Sequence, residues 1–139
     1  MKIQKIITLS LVISNLLCAE RFIKEGEIVY DNKTKLSWQR NPSSERISVN
    51  NAKKYCTNLD YGGKNDWRLP NQYELVSLID YKKYNPAIST ELINIINGYY
   101  WSSSFDKRNT LYPYIVVSFQ DGIDAGAGKD YNEYVLCVR

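Results

Sequence analysis

Four carboxylates surround a glycine-containing stretch late in the chain: Asp121, Asp124, Asp130 and Glu133, with Gly126 and Gly128 between them. Oxygen ligands on a pliable loop suit calcium, and calcium is the one cofactor this sequence suggests. The spacing matches no EF-hand, so a solvated acidic loop is the competing reading. Ser102-Ser103-Ser104 after Trp101 offers hydroxyl nucleophiles, but no general base accompanies it and the chain has no histidine. The commonest proton shuttle and metal ligand is therefore missing. Hydroxyls on a strand then serve packing and hydrogen bonding, and no catalytic residue is assigned. Gly126-Ala127-Gly128-Lys129 lacks the spacing and the trailing Ser or Thr of a phosphate loop.

Aromatic chemistry is the stronger signal. The chain holds 12 tyrosines and 3 tryptophans, and tyrosine suits surfaces that are half apolar and half wet. Tyr99, Tyr100, Tyr112, Tyr114 and Tyr131 fall on strand-like runs, where alternate residues point outward. They form a candidate ligand face: sugars stack C–H faces on exposed rings, and Lys107, Arg108 and Lys129 could meet sulfate or carboxylate. Ordinary sheet packing with solvated turn charges is the alternative, and register decides between the two.

Residues 1–19 read as a secretory signal, with Lys2 and Lys5 ahead of an apolar run from Ile6 to Leu17 and cleavage after Ala19. The run is short for a membrane span, which takes roughly 20 apolar residues. Asn15-Leu16-Leu17 is a poor approach to lipid attachment at Cys18. An exported chain of residues 20–139 follows, large enough for a single domain with a core. Loss of Lys2 and Lys5 takes the net charge from +3 to +1, which argues against a nucleic-acid partner. Cys56 and Cys137 remain in an oxidising compartment, where a bridge is expected over two separate thiols and stabilises by about 2–5 kcal/mol. Two cysteines without histidine make no zinc site.

The elements that must position these groups follow from pattern. Glu27–Tyr30, a turn at Asp31–Thr34 and Leu36–Gln39 predict a β-hairpin with Trp38 inside. Ser48 caps a helix from Val49 to about Leu59, with Val49, Ala52, Cys56 and Leu59 on one stripe. Trp67 and Leu69 share a face of an extended segment, and Pro70 keeps Leu69 extended. Asn71 and Glu74 form a capping box for a helix running to about Asp80. A short helix capped by Ser89 is expected to carry Leu92, Ile95 and Ile96 and to stop at Asn97-Gly98. Tyr99–Phe105, Tyr112–Phe119 and Tyr131–Val138 are strand-like, with 123–130 a flexible loop or loose strand. The order predicts an α+β fold with an antiparallel sheet and two main helices. Cys137 would lie over the helix that carries Cys56.

Leu36-Ser37-Trp38, Ala52-x-x-Tyr55-Cys56, Asp66-Trp67-Arg68-Leu69-Pro70, Glu74-Leu75, Tyr100-Trp101-Ser102-Ser103 and Leu136-Cys137-Val138-Arg139 occur in order. Together they resemble the bacterial domain typified by the C-terminal domain of a collagen-like adhesin, from about Gly26 to Arg139. The resemblance implies a C-type-lectin-like fold related to the formylglycine-generating, sulfatase-modifying factors. It makes Trp38, Trp67, Arg68, Pro70, Glu74 and Trp101 framework residues, and it implies adhesin-like recognition of sulfated glycosaminoglycans, often by oligomers. The near-neutral charge weakens that ligand for this chain, and the two cysteines fit a structural bridge better than formylglycine chemistry. The expectation is an exported, non-catalytic module for a glycan or an envelope or host protein, at the surface or in the periplasm. An envelope assembly partner that binds protein only is the second reading, and an enzyme the third.

Overall fold

The computed structural model describes residues 20–89 and 91–139. The expected leader, its cleavage point and Cys18 lie outside them. The first sheet holds β1 (Phe22–Glu25), β2 (Ile28–Asp31) and β3 (Leu36–Gln39), antiparallel in that order. The β2–β3 hairpin sets Val29 directly opposite Trp38, and both are fully buried. Asp31 closes it as a buried carboxylate, accepting from Arg21 at 3.0 and 2.8 Å, from the Lys33 amide and from the Thr34 hydroxyl. Burial alone would raise its pKa, but these donors outweigh that and hold it low. Strand β1, too polar to anticipate, is folded back on β2 by Gly26 at φ +61°.

Helix α1 (Val49–Thr57) starts at Ser48, whose hydroxyl accepts from Asn51, and buries Val49, Ala52 and Cys56. Helix α2 (Gln72–Val76) carries both halves of the Asn71–Glu74 capping box. It ends at Val76 instead of reaching Asp80. The Ser77 hydroxyl bonds the Glu74 carbonyl at 2.6 Å, and the chain tightens into Leu78-to-Leu75 and Ile79-to-Val76 bonds. The helix expected after Ser89 does not form among the described residues. Asn94 is pinned elsewhere, its amide to the Arg40 carbonyl and its side chain to Asn41, so tertiary bonds override the local pattern.

The second sheet holds β4 (Tyr99–Phe105), β5 (Tyr114–Ser118) and β6 (Asp124–Ala127), antiparallel in that order. The loose strand considered over 123–130 is thus the regular edge strand β6. Apolar side chains pack against both faces of this sheet, so neighbours along one strand enter different cores. Tyr100 and Val117 join Trp38, Leu75 and Phe119, whereas Trp101 and Val116 join α1, Trp67 and Cys137. A strand buried on both faces loses the hydrophobic alternation that would mark an outward face.

The strand expected over Tyr131–Val138 is instead a closing segment that bonds several partners in turn. Glu133 exchanges bonds with Ile47, Tyr134 lies between Tyr99 and Trp101, and Val138 exchanges with Arg68. Arg139 exchanges bonds with Ser37 of β3. Val135, Leu136, Cys137 and Val138 are fully buried and alternate between the two cores. Cys137 is bonded to Cys56 of α1, with Cα atoms 5.6 Å apart. Among the described residues the fold is therefore α+β, with two antiparallel sheets, two helices and one disulfide.

Candidate functional site

The junction before α2 is a framework. Trp67 is buried and donates its indole N–H to the Lys64 and Tyr61 carbonyls at 3.0 and 3.3 Å. Arg68 forks onto Glu74 at 2.7 and 2.8 Å while Glu74 also accepts the Asn71 amide. The Arg68 pair, aided by that amide, holds the Glu74 carboxyl below its usual range despite partial burial. Pro70 offers its carbonyl to Ser103, and the Gln72 amide bonds the Ser104 hydroxyl. Ser102 is buried and donates to the Ile115 carbonyl at 2.7 Å. These hydroxyls tie β4 to its neighbours.

The four carboxylates do not assemble into the suggested calcium site. Among the described residues, no group of three or more His, Cys, Asp or Glu side chains could hold an ion. Asp121 caps its own turn through the Ile123 amide, and Asp124 on β6 accepts from Gln72. Glu133 is half-buried with its pKa raised by that burial, against the opposing pull of Arg46.

The aromatic face divides. Tyr100 points into the core and is fully buried, with its hydroxyl bonded to the backbone of Ile96; it is unavailable to a ligand. Tyr99 is exposed at the start of β4, roughly 20 Å along the strand from Phe105 at its end. Tyr112, Tyr114 and Tyr131 are brought together. The Asp106–Pro113 connection is fixed by the Asp106 amide on the Pro113 carbonyl and by Asn109, which accepts the Tyr112 amide. Gly126 lets this loop lie against β6, since a Cβ there would stand 2.7 Å from the Tyr112 carbonyl. The Tyr131 amide then bonds the Gly128 carbonyl and returns Tyr131 to within 6.0 Å of the Tyr112 ring centroid. The Tyr112 hydroxyl raises the pKa of Tyr131.

These pieces enclose a cleft of about 430 Å³. Tyr114 is its half-buried floor, edge-on to Trp101 and Phe105. The walls are exposed: Phe105 by 51%, Leu111 by 76%, Tyr112 by 44% and Tyr131 by 47%. Lys129 and Asp130 stand at the lip. Phe105 and Leu111 were missed from the sequence; the available signal was a leucine with no core stripe to join, inside the turn Asn109–Pro113. Lys107 and Arg108 lie outside the lining. Arg108 is folded onto Asp106 at 3.1 and 3.4 Å, and that pair lowers the Asp106 pKa and raises that of Arg108.

A second groove of about 580 Å³ lies between β1–β2 and the segment after α2. Phe22, Val29, Leu78, Ile79, Ile88 and Ile93 line it, with Arg21 and Lys82 beside them.

None of the curated proteins matches the chain. Residues 27–139 match the family model of the Lcl C-terminal domain, a span that runs from the start of the hairpin to the closing segment. The chain belongs to the Lcl C-terminal domain family.

Proposed function

We propose that this domain is an exported, non-catalytic binding module of C-type-lectin-like fold, acting at the cell surface or in the periplasm. The observation that carries the reading is the convergence of Phe105, Leu111, Tyr112 and Tyr131 as exposed side chains around one cleft. Large apolar side chains left in water together mark recognition surfaces. Family membership supports an adhesin-like role. The ligand is a glycan or a protein. The test is saturable binding of the oxidised domain to glycan arrays and envelope fractions, with Tyr112→Ala as the control. Binding that the variant leaves unchanged would place recognition elsewhere.

A second reading, an assembly partner that binds protein only, is favoured by the groove between Phe22 and Ile93. It is large enough for apolar side chains of another envelope protein. Co-purification from native membranes that survives Tyr112→Ala and is lost on filling the groove with Leu78→Trp would support it.

A further inference from the structure

We infer that the cleft lined by Tyr112 and Tyr131 takes an uncharged pyranose sugar, and that it selects against sulfated or carboxylated glycans. This rests on the cleft being the recognition site, and it deepens that reading to a ligand class. A sulfated chain needs several cations free to meet it, ideally arginines with an open fork. The lining carries one cation, Lys129, and its sequence neighbour Asp130 carries the opposite charge at the same lip. Arg108, on the loop that leads into the cleft, has its guanidinium on Asp106, whose carboxylate also accepts the Arg108 amide at 3.0 Å. An anion approaching Arg108 therefore meets the Asp106 carboxylate beside it. Lys107 is the other cation on that turn, and it too lies outside the lining.

The remaining chemistry fits the two sides of a pyranose. Its C–H face needs an aromatic surface, and the Tyr112 and Tyr131 rings, packed on each other at 6.0 Å with planes inclined by 57°, form one wall of that kind. Its hydroxyl edge needs donors and acceptors around that surface, which the tyrosine hydroxyls, Thr110 and the Asp130 carboxylate supply. A continuous apolar peptide would leave these polar groups without partners. The cleft volume of about 430 Å³ lies toward the small end of ligand sites, which suits a mono- or disaccharide terminus.

The experiment is an array of glucose-, galactose-, mannose- and N-acetylhexosamine-terminated oligosaccharides beside heparin, probed with the oxidised domain at low and high salt. Hits are then titrated by calorimetry. Expected is binding to a neutral glycan that changes less than twofold with salt. It should weaken at least tenfold in Tyr112→Ala and Tyr131→Ala, and survive in the double variant Lys107→Ala, Arg108→Ala. Unchanged thermal melting of the tyrosine variants checks that the fold is kept. Binding to heparin alone, with steep salt dependence and loss in the lysine–arginine variant, would overturn the neutral-sugar assignment. So would tyrosine-dependent binding to a protein with no glycan bound, which leaves the cleft as the recognition site. Ligand binding that neither tyrosine variant affects would overturn the cleft reading itself.

Discussion

Gln39 holds Cys137 from two directions. Its backbone N–H donates to the Cys137 carbonyl at 3.1 Å, and its side-chain oxygen accepts the Cys137 N–H at 2.9 Å. Both residues are buried, so the carboxamide supplies the acceptor that a neighbouring strand would otherwise give. Gln39→Leu should cost about 2–3 kcal/mol by leaving the Cys137 amide unpaired. Guanidinium unfolding measures it, and a loss below about 0.5 kcal/mol would mean that the amide finds another acceptor.

The Cys56–Cys137 bridge spans a sequence separation of 81 residues. Loop entropy assigns a closure of this length about 4.5 kcal/mol. Cys56→Ser and Cys137→Ser should each lose a similar amount, and the double variant little more, because either change opens the same loop. Losses that sum across the two sites in denaturant titrations would contradict that.

Trp67→Ala should cost about 3–5 kcal/mol, the range for large buried side chains cut to alanine. The indole packs edge-on against Tyr61 at 5.9 Å and donates to two carbonyls of that turn. A melting curve close to that of the parent would remove Trp67 from the core.

Acid should weaken the junction before α2. The Glu74 pKa is lowered in the fold from its ordinary 4.5, first by Arg68 and then by the Asn71 amide. Its contribution is complete above the unfolded value and is lost as pH falls through the lower folded one. Arg68 is half-exposed, so solvent screening limits the pair and cap together to about 1 kcal/mol. Glu74→Gln should therefore be less stable at pH 7 and converge with the parent in strong acid. Glu133 works in the opposite sense, since burial raises its pKa and acid relieves that cost. A stability gap between parent and Glu74→Gln that persists unchanged to pH 2 would show that the carboxylate charge is immaterial.

What was legible in the sequence was chemistry settled within a few residues. The Ser48 cap and the Asn71–Glu74 box are local side-chain-to-backbone bonds, and the hairpin pattern sits in its own turn residues. The disulfide was legible because only Cys56 and Cys137 lay beyond the leader expected over residues 1–19. The ligand face was legible in part. Alternation should place Tyr100 and Trp101 on opposite faces, one inside and one out, but both faces of β4 are covered and both side chains are core. The register of β4 also shifts between Trp101 and Phe105, which turns Phe105 outward beside Tyr114. The acidic cluster dissolved because Asp124 faces Gln72, a partner remote in sequence.

The closing segment also sets a timetable. Every partner of Glu133–Arg139, from Ser37 to Trp101, is synthesised before it. Until those residues emerge, each core lacks part of its wall and Cys56 has no mate. Pairings so distant along the chain form late and slowly. Completion of both cores and of the disulfide therefore waits on this one segment.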